Sequence, residues 1–255
     1  MAPLARSVLV TGSSRGIGLE LVRQLAEGPD PPRHIFATCR DPRGPKGKAL
    51  HQLAEKHSNV HVVQLEVESQ SSVEAAVSEV ESYLKGQGLN LLINNAGVNS
   101  YATLQTVERQ EMLSAFNTNV VGAIFVVKEF LPLLKRAADE AGAEDMSCSR
   151  AAVINITSKL GSIERGFEVF HDPMYPYRAS KVALNMVTAC LARELKADGI
   201  LCTVIHPGWV KTDMGTDKAP LAVQDCVQGM LGVLASLSSS SSGAFLDWEG
   251  KSLPW

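Results

Sequence analysis

The sequence predicts an α/β fold, a doubly wound parallel sheet of about seven strands with helices on both faces. Three observations point there. Short β-branched runs alternate with longer amphipathic stretches along the chain. A glycine-rich turn stands directly between the first such run and the first stretch. No composition shift or linker divides the 255 residues, a length that suits one large core and is short for two.

The strand candidates are 7–11, 34–38, 60–65, 89–94, 151–156, 200–205 and 244–246. Helical patterns fall between them at 16–28, 46–57, 69–85, 107–138, 175–198 and 221–237. In the first of these, Ile17, Leu21 and Leu25 recur every fourth residue with Val22 beside them, giving one apolar face. The strands are near-continuous apolar runs, as expected of a parallel sheet covered on both sides. Segments 137–150, acidic and rich in small residues, and 238–242, a serine run, read as flexible surface insertions. The expected unit is one domain over residues 1–255.

Composition excludes several classes of function. Hydrophobic residues make up 45% and charged residues 20%, with a net charge of −3, so a basic nucleic-acid surface is not expected. No apolar run approaches the length of a bilayer span, and residues 1–11 read as the lead into a strand rather than as a signal peptide. Five cysteines (Cys39, Cys148, Cys190, Cys202, Cys226) form no C-x-x-C pair and read as reduced thiols, hence a cytoplasmic location. His57 and His61 are spaced four apart, but Ser58-Asn59 between them looks like a loop, so no metal site is expected.

The turn Gly12-Ser-Ser-Arg-Gly16-Ile-Gly18 places glycine where a dinucleotide needs a tight bend, close backbone approach and close helix packing. Gly12, Ser14, Arg15, Gly16, Ile17 and Gly18 are therefore candidate cofactor contacts in a Rossmann-type fold. The second strand ends Thr38-Cys39-Arg40, without the carboxylate that holds a free ribose 2′-hydroxyl. Arg40 and Arg15 suit a 2′-phosphate, which favours NADPH over NADH. Asp41 is the counter-argument, discounted because Asp41-Pro42 begins a turn beyond the strand.

Tyr177-Arg-Ala-Ser-Lys181 sets a phenol and an ammonium on one helix face. A nearby cation lowers a phenol's pKa, which fits a group that passes a proton to a carbonyl oxygen. Ser158 follows the fifth strand at the sheet edge where α/β proteins bind ligands, although a lone serine there is more often a turn or cap.

Together these residues resemble the short-chain dehydrogenase/reductase family along the whole chain. The glycine turn looks like its cofactor motif, and Asn94-Asn95-Ala96-Gly97 like its N-N-A-G motif, which steadies the sheet near the adenosine side. Asn119-Val-Val-Gly122 resembles the helix motif whose asparagine holds a water linked to the catalytic lysine. With Ser158, Tyr177 and Lys181, Asn119 completes the tetrad that the resemblance implies. Pro207, Gly208, Val210 and Thr212 are similar to the segment that clasps the nicotinamide, and Glu66-Val67 stands where the family often has Asp-Val against adenine. Several runs, among them Tyr175–Lys181, 206–213 and 245–250, resemble the sniffer and C-factor branch, grouped with carbonyl reductases.

The resemblance implies NADPH-dependent reduction of a small-molecule carbonyl, with Tyr177 as proton donor. An NADPH-binding regulatory or signalling protein, and an NAD-linked alcohol dehydrogenase, remain open beside it. The stretch after Thr212 is brief, and an added loop, 164–173, stands before Tyr177. Phe170 and Tyr175, with Trp209 opposite, are the expected substrate wall, suited to apolar aldehydes, ketones or quinones. Helices 107–138 and 175–198 resemble those that pair in family dimers, so a homodimer is a further expectation, which the inserted loops would obstruct.

Overall fold

A computed structural model describes residues 4–142, 144–168 and 170–255. Ala143 and Val169, which fall in the two expected loops, and residues 1–3 lie outside the described residues. In chain order the elements are β1 (Ser7–Val10), α1 (Gly16–Glu27), β2 (His34–Cys39), α2 (Lys48–Lys56), β3 (Val60–Gln64), α3 (Gln70–Leu84) and β4 (Leu91–Asn94). There follow α4 (Arg109–Phe116), α5 (Ala123–Glu140), β5 (Ala152–Ile156), α6 (Tyr175–Glu194), β6 (Leu201–His206), α7 (Val223–Ser236) and β7 (Phe245–Asp247).

The seven strands form one parallel sheet in the order β3-β2-β1-β4-β5-β6-β7. The chain winds outward from β1 to β3, then crosses back to place β4 on the other side of β1. Ligands bind such sheets in the crevice opened at that reversal, beyond the carboxyl ends of the strands. Alternate strand residues feed two cores. Val8, Val10, Ile35 and Ile93 pack with α1, α2 and α7 on one face. Leu9, Phe36, Leu92 and Val153 pack with α3, α5 and α6 on the other.

Three expectations are corrected. The helix expected over 107–138 is broken: Asn117–Gly122 between α4 and α5 is a π-helical turn. Such turns commonly mark functional positions, and this one carries Asn119. The serine run is not a free loop. Ser239–Ser241 forms a short 3-10 helix, and Thr203 Oγ1 donates to the Ser241 carbonyl at 2.9 Å while Gly243 N donates to Cys202 O at 2.7 Å. The two ends of segment 137–150 are likewise tied down. α5 runs on to Glu140, whose carboxylate accepts from Gly88 N at 2.9 Å, and Asn90 Nδ2 donates to the Ser149 and Arg150 carbonyls.

At the edge of the sheet, His34 of β2 and His61 of β3 lie 3.1 Å apart, and the His61 ring stacks against Tyr83. Burial lowers the pKa of both, and it holds His206, at the end of β6, down at about 4. The unfolded chain takes up these protons near pH 6.5, before the folded chain does. Stability is thus complete above that value and is lost as pH falls from about 6.5 toward 4. The expected outcome is a lower melting temperature at pH 5 than at pH 7.5, with His206→Gln losing less over that interval than the parent; an identical drop would contradict the assignment.

Candidate functional site

A cavity of about 530 Å³ opens at the carboxyl ends of the strands, with Cys39 and Ile156, the last residues of β2 and β5, in its wall. The glycine turn contributes Gly12, Ser14, Arg15, Gly16 and Ile17 to that wall. Gly12 and Gly16 take positive φ angles of 66° and 54°, a region that favours glycine. Gly18 lies beneath the turn, where a Cβ would stand 2.4 Å from the Gly12 carbonyl. No side chain caps α1 and no acidic residue occupies its first turn, so its N–H groups and positive end are free to meet an anion.

The turn is fastened by hydrogen bonds to the loop after β4, more than eighty residues away in the chain. Asn95 Nδ2 donates to the carbonyls of Thr11 and Gly12, and the Thr11 hydroxyl accepts from the N–H of Asn95 and of Ala96, each at 2.9–3.1 Å. Asn95, Ala96 and Gly97 line the cavity, as do Glu66 and Val67.

Arg40 and Arg15 both stand in the wall. Arg15 also pairs with Asp213 at 2.6 Å, an exposed contact that sequence spacing did not reveal. Asp41 borders the same cavity, but its carboxylate accepts from Gly44 N at 2.9 Å, closing the turn beyond β2. Lys46, from the 3-10 turn Pro45–Gly47, adds a further basic side chain beside them, unmarked by any motif.

Tyr177 and Lys181 lie one turn apart on α6 and both face the cavity, with Lys181 Nζ 5.6 Å from the centre of the phenol ring. Lys181 donates to the Ile156 carbonyl at 2.8 Å. Ser158 stands beside the phenol, near enough to hold its pKa down, and its own oxygen caps the turn that follows by accepting from Leu160 N. The expected lowering of the phenol's pKa is not what this arrangement gives. Burial pushes Tyr177 up to about 12, against the effect of Ser158, and the nearby Tyr101 phenol adds to the rise. Burial also pulls Lys181 down to about 8. Removal from water is the largest cause of both shifts.

Asn119 lies behind the wall, almost fully buried. It accepts from Val98 N at 2.8 Å and donates to Val98 O and to the Ser180 hydroxyl, which in turn donates to the Tyr177 carbonyl at 2.7 Å. Among the residues after β6, Pro207 and Thr212 line the cavity, whereas Gly208 packs on Leu221 and Trp248, and Val210 pairs with Leu221. Phe170 and Trp209 meet edge to face at 5.6 Å. Tyr175 is half exposed at the start of α6, its N–H bonded to Ala102 O. Tyr101, which no motif marked, reaches the Met214 carbonyl through its hydroxyl at 3.3 Å. Among the described residues no group of three metal-ligating side chains is present, and no helix is long and apolar enough to cross a membrane.

The short chain dehydrogenase family model matches residues 6–221. The structure superposes on an NADPH-bound carbonyl reductase from chicken fatty liver with a TM-score of 0.94, at 47% identity over 98% of this chain and 99% of that one. The carbonyl reductase Sniffer of Drosophila melanogaster gives a TM-score of 0.93 at 40% identity, covering 98% and 100% of the two chains. C-signal of Myxococcus xanthus is 35% identical over 168 residues, 66% of this chain and 93% of that protein. These matches fall in the sniffer and C-factor branch that the sequence motifs indicated. The chain belongs to the short-chain dehydrogenase/reductase family.

Proposed function

We propose that the chain is a cytoplasmic NADPH-dependent carbonyl reductase that converts apolar aldehydes, ketones or quinones to alcohols, working as one NADP-binding domain. The observation that carries this reading is the half-buried Tyr177 phenol, beside Ser158 and 5.6 Å from Lys181 Nζ, in the wall of the cavity that the open glycine turn also lines. The similarity to a chicken carbonyl reductase with NADPH bound supports it.

The cavity suits the dinucleotide. Gly12 and Gly18 leave no room for a Cβ, which keeps backbone close to a pyrophosphate, and the uncapped start of α1 offers it N–H donors. Arg15 and Arg40, both in the cavity wall, would take the 2′-phosphate. Glu66 and Val67 would border the adenine, Asn95 to Gly97 the adenosine side, and Pro207 and Thr212 the nicotinamide, with Gly208 and Val210 packed behind them on Leu221. NADPH, when bound, supplies the hydride.

The protein's own residues manage the proton. With its pKa at about 12, Tyr177 keeps its proton at neutral pH and gives it to the carbonyl oxygen as negative charge develops there. The Ser158 hydroxyl holds the same oxygen. Lys181, fixed on the Ile156 carbonyl, stabilises the phenolate that remains and would also hold the nicotinamide ribose. Asn119 supports the relay from behind. Phe170 and Trp209, which meet edge to face outside the cavity lining, would form an apolar wall with few directional contacts, with Tyr175 at the start of α6 as its further expected member, so bulky apolar carbonyls are favoured over polar ones. Leu113, Phe116, Phe125 and Met186 are exposed on α4, α5 and α6, which supports pairing with a second copy.

Tyr177→Phe is expected to remove most turnover, at least about a hundredfold, while NADPH binds within about threefold of the parent. Steady-state rates against a carbonyl panel and a fluorescence titration of NADPH check this; near-native rates on every substrate would overturn the assignment. Cys39→Asp combined with Arg40→Leu is expected to weaken NADPH by about 10- to 150-fold, as loss of a charge-assisted contact of ~1.5–3 kcal/mol implies, and to improve NADH. A parent protein that already prefers NADH in direct titration would move the determinant to Asp41.

A further inference from the structure

Arg178 follows Tyr177 on α6, roughly 100° around the helix, and points its guanidinium into the loop before that helix rather than toward the cavity. It is buried, and every nitrogen of its fork donates to a different backbone carbonyl of one loop. Nε donates to Asp172 O at 3.0 Å, Nη1 to Gly166 O at 2.7 Å and Nη2 to Phe170 O at 2.6 Å. The Phe167 ring covers the guanidinium face at 4.1 Å. Gly166 is fitted to this arrangement: a Cβ there would stand 2.5 Å from Ser162 O and 3.0 Å from Arg178 Nη1. The start of the loop is held separately, since Ser162 Oγ and Glu164 N both donate to the Trp255 carbonyl at 3.2–3.3 Å.

We propose that Arg178 is a positioning residue that sets substrate preference, by holding the 164–173 loop so that Phe170 closes against Trp209 as one wall of the substrate site. The inference rests on the carbonyl reductase reading. Three carbonyls from a seven-residue stretch converge on one planar cation, which a compact ammonium cannot reproduce with its tetrahedral donors. Phe170 is itself one of the three, so loss of the cation releases the residue whose ring meets Trp209. The same helical turn thus presents Tyr177 to the cavity and, through its neighbour, holds the loop that carries Phe170.

The test compares the parent with Arg178→Met, Arg178→Lys and Gly166→Ala, using NADPH with a small aldehyde (propanal) and a bulky apolar carbonyl (phenanthrenequinone). The expected result is a KM for the quinone raised at least about tenfold in all three variants, with kcat, the propanal KM and NADPH affinity within about twofold. Trypsin nicking after Arg165, measured with NADPH present, is expected to quicken at least about tenfold in the variants but not in an Arg193→Met control. An unchanged KM ratio, or equal loss of kcat on both substrates together with NADPH affinity, would overturn the proposal. If Arg178→Met does not fold, Gly166→Ala decides by the same two readouts. If the parent reduces neither compound, the functional reading fails instead, and the nicking rate alone decides whether Arg178 holds the loop: unchanged nicking overturns it.

Discussion

The site depends on how α6 is docked to the carboxyl ends of β4 and β5, and that docking is a buried chain of hydrogen bonds. Asn94 and Asn155 face each other in register on the two strands, and Asn94 Nδ2 donates to Asn155 Oδ1 at 2.9 Å. Asn155 then donates to the Thr188 hydroxyl of α6 at 2.7 Å. One turn nearer the cavity, Thr157 donates to Asn185, which donates in turn to Gly161 O at 3.2 Å, and Lys181 reaches Ile156 O. These links fix both the height and the rotation of α6 against the sheet. An apolar contact would fix the distance but leave the helix free to turn, and a turn of a few tens of degrees would carry Tyr177 away from Ser158.

That placement sets the chemistry of the phenol. A tyrosine in water holds its proton loosely enough to lose it above pH 10. Half-buried here, Tyr177 holds it to about 12 and stands ready as a donor. The ammonium beside it, pulled down to about 8, is equally deprived of water and correspondingly ready to share charge with a phenolate. Neither shift arises from spacing along α6. Both arise because α6 presses this turn against the ends of β5 and the loop after β4.

Much of the fold could be read from the chain because its signals are local. The apolar runs that became β1 to β7 and the glycine turn each depend on residues within a few positions of one another. The Tyr177–Lys181 pair belongs with them, since a helix alone puts both on one face. The features that escaped depend on distant partners. The π-helical turn at Asn117–Gly122 has no composition of its own; Asn119 is held there by Val98 and Ser180, which are far away in sequence. The serine run read as a loop because nothing in it shows that Thr203 and Cys202 of β6 bind it. Lys46 joins the cavity, and Tyr101 comes near the Tyr177 phenol, only through folding. Arg178 stood inside the quoted motif, yet its three carbonyl partners could not be seen from the residue types.

The most direct test of the α6 docking is Asn155→Leu, which keeps the volume and removes the bridge between Asn94 and Thr188. Measured on folded protein saturated with NADPH, kcat for a carbonyl substrate is expected to fall at least about tenfold while NADPH affinity stays within about threefold. A kcat close to that of the parent would contradict the claim that this buried chain of hydrogen bonds places the phenol.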